Sequence, residues 1–414
     1  MPTFLSLLKN RKLFVTFLLA FSSSLPLPLT TGTLDTWLAD KNVSLKTIGF
    51  FSLVGLPYTL KFLWAPFLDR YMPPFLNRRT GWIVITQGLL ILGISLMGFI
   101  DPVQQPFYLA GAALCVAFFS ASQDIVIDAY RADLLGPGEL GPGAGITVTG
   151  LRLALIVSGG MAVLLADYLP WGVVYQLMAG LMLIGVLAAI FAPAPEIKVL
   201  PPKSLKDAVI DPFVSYFKLK HAVAILFFIL LYKLGDVVAG KMTSPFLIKM
   251  GYSKTAIGSL NKTLGMAMTI FGALAGGVTV TRIGIWKSLW FFGILQALSN
   301  FCFVAIAKNG PSLVLLAASI SVENLCGGLG TAAYMAFLMS LCDKHFTATQ
   351  YALLTSIMAI TRIFLGPLSG YLAENLSWST YFTVSAAFAI PGMLLLLCFK
   401  ELAAPQIDEP ARTN

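Results

Sequence analysis

Long apolar stretches recur along the whole chain, and short polar segments separate them. About twenty consecutive apolar residues are needed for one helix to cross the hydrocarbon core of a bilayer. Runs of that length predict twelve spans, at Leu13–Leu34, Leu45–Phe67, Gly81–Ile100, Phe107–Ile127, Ala144–Ala166, Trp171–Phe191, Ala222–Gly240, Ala256–Val280, Ser288–Ala307, Leu313–Leu341, Ala352–Leu372 and Tyr381–Phe399. The pattern therefore predicts an all-α integral membrane protein with both termini on one side of the membrane.

The distribution of basic residues predicts which side that is. Seventeen of the 28 lysines and arginines fall in the termini and the even-numbered loops, and only six fall in the odd-numbered loops. Lysine and arginine collect on the cytoplasmic side of membrane proteins. We therefore expect a multi-pass membrane protein with both termini in the cytoplasm.

The two halves of the chain resemble each other at a common offset. Lys46 and Lys254 open matching segments 208 residues apart, Arg152 and Arg362 precede matching Ser-Gly pairs 210 residues apart, and Trp171 and Trp378 are 207 residues apart. A shared offset near half the length indicates an internal repeat. Parallel repeats of six spans are the architecture of major facilitator transporters.

The repeat and the central polar stretch predict the domain organisation. The segment from Pro193 to Lys220 contains five lysines and several prolines. We expect an N-terminal six-helix bundle (1–192), a cytoplasmic linker (193–220), a C-terminal six-helix bundle (221–402) and a cytoplasmic tail (403–414). The predicted fold is the major facilitator fold.

Composition excludes several classes of function. Hydrophobic residues make up 57% of the chain and charged residues only 11%, whereas soluble domains carry about 25% charged residues. Five cysteines without paired spacing and two histidines at predicted span edges predict no disulfide framework, no metal site and no cofactor. The net charge of +9 follows from the cytoplasmic loops and does not indicate a nucleic-acid partner.

Eight ionisable residues fall inside the predicted spans. Each costs several kcal/mol in a bilayer unless it is paired or hydrated, so such residues mark functional sites. Five are basic and three are acidic, which favours an anionic or zwitterionic substrate and offers the acids as proton-coupling groups: Lys61, Asp124, Arg152, Lys233, Asp236, Lys262, Glu323 and Arg362.

Their arrangement leaves structural roles open. Each half carries one acid and one arginine on its fourth and fifth spans, Asp124 with Arg152 and Glu323 with Arg362. Either pair can instead be an ion pair that holds two helices together. Lys233 and its neighbour three residues on, Asp236, can pair on one helix face, or both can lie hydrated at the mouth of a cavity.

A short motif follows the second span. Asp69-Arg70, and then Arg78-Arg79-Thr80-Gly81, resemble the first cytoplasmic loop of major facilitators, although the leading glycine of that motif is absent. In that family the Asp and Arg lock the inner gate against the end of the fourth helix. The resemblance implies a gate of Asp69, Arg70, Asp128 and Arg131.

Six segments resemble one family more specifically, the AmpG muropeptide permeases. They keep their order and spacing over roughly residues 10–400: Leu45–Gly55, Lys61–Trp64, Ser120–Val126, Asn261–Gly265, Glu323–Gly328 and Ala348–Leu354. Some members of that family have fourteen helices, whereas this chain has room for twelve. The difference concerns accessory helices and leaves the transport core unchanged.

The resemblance implies proton-driven import of GlcNAc–anhydroMurNAc peptides for peptidoglycan recycling and, in some bacteria, β-lactamase induction. We predict a monomer, with protons, an anionic sugar-peptide and lipid as its partners. Glu323 is the first candidate for proton coupling, followed by Asp124 and Asp236. The predicted substrate-binding set is Lys61, Gln123, Arg152, Lys233, Lys262, Asn324 and Arg362.

Two other functions remain as alternatives. Siderophore permeases of the RhtX/FptX type share the fold and take amphipathic anions, although the segment Glu323–Gly328 favours the AmpG family. A membrane-embedded enzyme such as an acyltransferase needs a nucleophile with a base or a metal-ligand cluster inside the spans. The sequence contains no such constellation, so we predict a carrier and not an enzyme.

Overall fold

The computed structural model describes residues 9–43, 47, 51–195, 202 and 204–399. Within those ranges the side chains at 52, 205, 254, 359–364, 366, 367 and 399 are not described. The predicted tail at 403–414 and the side chain of Arg362 therefore lie outside the described residues. All regular secondary structure in the described ranges is helical.

The described residues of the first half form eleven α-helices. They are α1 Arg11–Ser24, α2 Pro26–Thr30, α3 Gly32–Asp40, α4 Leu56–Leu60, α5 Ala65–Arg70, α6 Arg78–Phe99, α7 Pro106–Leu134, α8 Leu140–Leu155, α9 Ala162–Leu165, α10 Trp171–Leu181 and α11 Leu183–Ile190. Short 3₁₀ turns at Ser52–Gly55 and Lys61–Leu63 flank α4, and a π-helical segment at Ile156–Met161 joins α8 to α9.

The part of the second half that the structure describes forms ten more. They are α12 Leu205–Phe217, α13 Ala222–Leu231, α14 Leu234–Lys249, α15 Lys254–Leu260, α16 Met266–Ile283, α17 Ile285–Asn309, α18 Leu313–Ser340, α19 Thr347–Asn375, α20 Trp378–Ala387 and α21 Ala389–Leu395. A π-helical segment at Asn261–Gly265 joins α15 to α16, and a 3₁₀ turn at Leu396–Phe399 follows α21.

Polar side chains and glycines set the ends of these helices. Ser253, Ser312 and Ser377 each precede a helix and accept a hydrogen bond from a backbone N–H of its first turn, which satisfies a donor that the helix itself leaves unpaired. Gly284 and Gly310 have φ angles of 84° and 82° and end α16 and α17. Glycine adopts that backbone conformation without steric cost.

Ten helical segments in the described residues, some of them made of two or three successive helices, are long and apolar enough to cross a membrane. The two remaining predicted spans correspond to the broken segment at 52–70 and to α19, which is 29 residues long. Large apolar side chains lie exposed on these helices, among them Phe107 at 89% and Val314 at 80%. Such a surface suits lipid as its solvent.

Several predicted boundaries shift in the structure. The seventh span was predicted to end at Gly240, but α14 continues to Lys249. Lys241 and Lys249 lie in this extension of the helix. A helix in the membrane can contain them because long cationic side chains can reach the interface from inside it. The second span was predicted as one helix, but it breaks at Lys61.

The chain forms two compact units. The first comprises residues 1–135, 146–216 and 342–359, and the second comprises 136–145, 217–341 and 360–414. In the first unit, Trp37 stacks on Trp171 with ring centroids 6.0 Å apart, inside a core that also contains Tyr175.

The core of the second unit depends on glycine. A Cβ added to Gly272 would lie 2.3 Å from the carbonyl oxygen of Leu325, and one added to Gly328 would lie 2.3 Å from that of Thr269. No side chain fits at such distances, so these glycines let α16 and α18 approach each other backbone to backbone.

Candidate functional site

Asp69 lies at the end of α5 with its side chain fully buried. Its Oδ1 accepts a hydrogen bond from Nη1 of Arg79 at 2.8 Å. Its Oδ2 accepts two more, from the backbone N–H of Thr349 at 2.8 Å and from the Thr349 hydroxyl at 2.7 Å. Thr349 belongs to the first turn of α19, where free N–H groups and the helix dipole favour an anion. Asp69 therefore joins the start of α6 to the start of α19 within the first unit.

Arg79 has a second carboxylate partner. Its Nε donates to Oδ2 of Asp133 at 2.9 Å, near the end of α7. The other oxygen of Asp133 accepts from the hydroxyl of Thr347 at 2.5 Å. One buried guanidinium thus lies between two carboxylates, and each carboxylate also binds the start of α19. We call Asp69, Arg79, Asp133, Thr347 and Thr349 the polar lock.

Arg70, an arginine of the predicted gate, lies outside the polar lock and stays a predicted gate residue. Arg70 directly follows Asp69, and its guanidinium lies over the ring of Tyr71, 5.7 Å from the ring centroid. Adjacent residues of a helix point in different directions, so the buried Asp69 turns away from Arg70. The ion pair of Asp69 is with Arg79, ten residues further along the chain.

Arg131 forms a second buried network beside the polar lock. Its Nη2 donates to Asp128 at 2.8 Å and to the hydroxyl of Tyr351 at 3.1 Å, and its Nη1 donates to the hydroxyl of Thr147 at 3.0 Å. The predicted gate residues Asp128 and Arg131 are therefore an ion pair within α7. Tyr351 connects that pair to α19, and Thr147 connects it to α8.

The helix of the predicted linker, α12, is also held in the first unit. Ser215 donates to Asp343 at 2.7 Å, and the side-chain amide of Gln350 donates to the carbonyl oxygen of Pro212 at 3.0 Å. Burial alone would raise the pKa of Asp343, but hydrogen bonds from His345 and Ser215 lower it below the ordinary value. Asp343 therefore stays charged as an acceptor for α12 at neutral pH.

Lys61 and Asp124 approach each other in the interior of the first unit. Lys61 begins the 3₁₀ turn that interrupts the second span, and it is only 9% exposed. The carboxylate of Asp124 interacts electrostatically first with Lys61, and then with Asp128 and Arg131. No salt bridge joins Asp124 to Arg152 among the described residues, and the cation with the largest electrostatic effect on Asp124 is Lys61.

Two further predicted binding residues in this unit, one buried and one half-buried, have buried polar atoms without a hydrogen-bond partner among the described residues. Gln123 is fully buried, and neither its Nε2 nor its Oε1 has a partner among the described residues. The buried Nε of Arg152 also has no partner in the described part of the chain. An unmade hydrogen bond of a buried polar group costs about 1–3 kcal/mol. Both side chains therefore retain donors or acceptors that a substrate or water can use.

In the second unit, Lys233 lies between the end of α13 and the start of α14. Its Nζ donates to Oδ2 of Asp236 at 3.2 Å, so the ion pair predicted from the spacing of three residues is present. Nζ also donates to Oε1 of Gln296 at 2.9 Å. Gln296 lies 63 residues away on α17, and no pattern in the sequence had indicated it.

Glu323 and Asn324 occupy neighbouring positions on α18 but differ in their contacts. Glu323 is partly buried and interacts electrostatically with Asp236. Asn324 donates from its amide to the carbonyl of Ile320 at 2.9 Å and accepts from the hydroxyl of Thr269 at 3.0 Å. The Oδ1 of Asn324 thus joins α18 to α16, whereas its Nδ2 bonds within α18.

Two residues of the predicted substrate-binding set remain, Lys262 and Arg362. Lys262 is exposed and lies in the π-helical segment between α15 and α16. Arg362 lies within α19, and its side chain is outside the described set.

Three of the predicted basic binding residues lie at irregular positions of the backbone, and a fourth lies close to one. Lys61 begins a 3₁₀ turn, Lys233 separates two helices, Lys262 lies in a π-helical segment, and Arg152 is four residues before another. Irregular turns inside helices frequently mark functional sites. Sequence reasoning missed these breaks, although prolines at 57 and 66 on either side of Lys61 were a usable signal.

The chain resembles known proteins over almost its whole length. The family model described as Major Facilitator Superfamily matches residues 13–365. The anhydromuropeptide permease of Escherichia coli strain K12 is 45% identical over 409 residues, which cover 98% of this chain and 83% of the relative. A protein of Rickettsia conorii named putative transporter AmpG 1 is 32% identical, over 95% of this chain and 99% of the relative.

Solved structures resemble the fold at low sequence identity. The proton:xylose symporter XylE has a TM-score of 0.71 at 12% identity, covering 95% of this chain and 96% of that one. The major facilitator transporter FucP in its outward conformation has a TM-score of 0.68 at 12% identity, covering 93% and 97%. These two likenesses concern the fold alone.

Proposed function

Since the chain belongs to the AmpG permeases of the Major Facilitator Superfamily, we propose that it imports anhydromuropeptides across the bacterial inner membrane, coupled to protons. The substrates are GlcNAc–anhydroMurNAc peptides, and the process served is peptidoglycan recycling. The proposal rests on the 45% identity, over 98% of this chain, to a relative named anhydromuropeptide permease.

The interior charges support an anionic substrate. In the first unit, Arg152 and Gln123 retain unsatisfied polar atoms, and Lys61 is nearly buried. In the second unit, Lys233 and Lys262 lie at irregular helical positions. A peptide carboxylate is the group of the proposed substrate that such cations recognise best. Arg362 is also proposed as a member of this set, because it lies within the eleventh predicted span.

The acids support coupling to protons. Asp124 lies beside Lys61, and Glu323 and Asp236 lie within electrostatic range of each other. A carboxyl group changes its affinity for a proton when a neighbouring cation moves or when a substrate carboxylate approaches. Protonation and substrate binding can then favour each other. Glu323 is the first proposed coupling residue, with Asp124 and Asp236 after it.

The polar lock and the network of Arg131 form the proposed inner gate. With both termini in the cytoplasm, the loop between α5 and α6 and the start of α19 also lie at the cytoplasmic face. Breaking the contacts of Asp69 and Asp133 with α19 would free the start of α19 from α5 and α7. Proton-driven import needs such a release once in each cycle.

Transport in sealed membrane vesicles tests the proposal. Right-side-out vesicles containing the protein should concentrate a radiolabelled anhydromuropeptide when a proton gradient is applied. A protonophore should abolish accumulation, and a ferric siderophore in excess should leave it unchanged. Vesicles from cells without the protein are the control. Uptake of the siderophore instead of the muropeptide would contradict the proposal.

A further inference from the structure

Lys233 lies at a break in a membrane helix, a frequent position for substrate-binding residues in transporters. Helix α13 ends at Leu231 and α14 begins at Leu234, with the backbone of Lys233 at φ −97° and ψ 6°. Asp236 lies in the first turn of α14, where a carboxylate is stabilised by the helix dipole. The ion pair between these two residues is only partly buried, with side-chain exposures of 15% and 27%.

The Lys233 ammonium has one donor more than its partners use. An ammonium carries three N–H donors. One hydrogen bond goes to Asp236 and one to Gln296, and no further acceptor bonds Nζ among the described residues. Gln296 is neutral, so it orients the ammonium without cancelling its charge, as a second carboxylate would do.

Gly330 makes room for this arrangement. A Cβ added at Gly330 would lie 2.6 Å from Oε1 of Gln296 and 3.3 Å from Nζ of Lys233. Even the smallest side chain would therefore displace the amide oxygen from the ammonium. One turn earlier on the same helix, a Cβ added at Gly327 would lie 3.8 Å from Nε2 of Gln296, an ordinary van der Waals distance.

Aromatic side chains hold the surrounding helices in place. Tyr232 stacks on Tyr334 with ring centroids 5.5 Å apart and planes 9° apart. The hydroxyl of Tyr232 donates to the carbonyl of Leu289 at 2.9 Å, and that of Tyr334 donates to the carbonyl of Ile229 at 2.9 Å. These contacts join α13, α17 and α18 around Lys233. A binding residue needs such support to keep its geometry.

We propose that Gln296 is a positioning residue that directs the Lys233 ammonium to a carboxylate of the substrate, in a space that Gly330 keeps open. The inference rests on the proposed function and names the substrate group that the second unit recognises. Gln296 and Gly330 act through Lys233 and need not touch the substrate.

Transport kinetics of five variants test the proposal. We expect Gln296→Ala and Gly330→Ala each to raise the KM for anhydromuropeptide about ten-fold, the effect of one lost hydrogen bond to a charged group, at an unchanged maximal rate. The variant Gln296→Glu keeps the shape and an acceptor but adds a negative charge, so KM should rise at least as much. The matched control Gly327→Ala should behave as wild type.

The double variant separates a specific role from general damage. Because Gly330→Ala acts by displacing Gln296, the variant carrying both Gln296→Ala and Gly330→Ala should have the same KM as Gln296→Ala alone. Additive losses would show that the two residues act independently. A wild-type KM in Gln296→Ala or in Gln296→Glu would overturn the proposal.

A measurement without substrate makes failure of the inference distinguishable from failure of the proposed function. Acetic anhydride modifies lysine side chains, and mass spectrometry of the purified full chain gives the rate at Lys233. The rate should rise in Gln296→Ala and Gly330→Ala and stay at the wild-type value in Gly327→Ala. Equal rates in all variants would overturn the positioning role even where uptake is normal. If the wild-type protein takes up no anhydromuropeptide while the variants still show this labelling pattern, the positioning of Lys233 by Gln296 stands. The proposed function and the carboxylate ligand are then wrong.

Discussion

The carboxylate of Asp69 accepts hydrogen bonds from both the backbone N–H and the hydroxyl of Thr349, at 2.8 and 2.7 Å, although 280 residues separate the two along the chain. A fully buried carboxylate at the first turn of a helix is stabilised by free N–H groups and by the helix dipole. Arg79 supplies the balancing charge. These hydrogen bonds are the contacts that have to break when the proposed inner gate opens.

The structure predicts opposite results for two nearby arginines. Removing one partner of a buried ion pair costs about 3–5 kcal/mol, so Arg79→Ala should open the polar lock. Arg70→Ala removes a side chain that lies over Tyr71 outside the lock, so it should leave the lock closed. The thiol of Cys342 interacts electrostatically with Asp133, so its rate of alkylation can report on whether the polar lock is closed.

Alkylation of Cys342 measures that difference. With the other four cysteines replaced by alanine, a maleimide should modify Cys342 faster in Arg79→Ala than in the parent chain and no faster in Arg70→Ala. Faster modification in Arg70→Ala, or equal rates in all three proteins, would show that the lock does not depend on Arg79.

Neutralising the coupling acid should separate accumulation from exchange. A unit charge moving through about 100 mV gains about 2.3 kcal/mol, so a coupled carrier concentrates its substrate by roughly fifty-fold. Glu323→Gln, and after it Asp124→Asn, should abolish this accumulation while exchange between equal substrate pools continues. If both variants still concentrate substrate under a proton gradient, Asp236 is the next candidate for coupling.

Arg152 offers a test of substrate binding in the first unit. Its Nε is buried without a partner among the described residues, which leaves part of the guanidinium available for a carboxylate. Arg152→Ala should raise the KM for uptake without lowering the amount of protein in the membrane. Arg152→Lys should restore binding only in part, because lysine lacks the two-pronged geometry of arginine. Arg362→Ala and Arg362→Lys should follow the same order if that residue shares the role.

Topology follows from the distribution of lysine and arginine. A reporter enzyme fused after Lys203 should be active in the cytoplasm, and one fused after Lys308 should be active in the periplasm. Activity of both fusions on the same side would contradict the twelve-span arrangement.

Much of the fold could be predicted from the sequence because its signals are local. A run of apolar residues identifies a span from its own length, and spacing alone placed Lys233 beside Asp236. Contacts between distant segments leave no such signal. Neither the pairing of Asp69 with Arg79 instead of the adjacent Arg70, nor the second bond of Lys233 to Gln296, follows from spacing.

A place on adjacent spans also fails to identify a neighbour. Asp124 and Arg152 lie on the fourth and fifth predicted spans, yet the cation that acts most on Asp124 is Lys61. The direction of a side chain around its helix axis decides such contacts. The breaks near Lys61 and Lys233 change that direction, and a count of apolar residues does not detect them.

We propose that the carrier concentrates anhydromuropeptide at the expense of a proton gradient. Proteoliposomes containing only the purified chain, with labelled GlcNAc–anhydroMurNAc peptide on one side and an imposed pH step, measure this without other proteins. We expect accumulation above the equal-concentration level, and its collapse when a protonophore is added. Equilibration without accumulation, or accumulation of a ferric siderophore in place of the sugar-peptide, would contradict it.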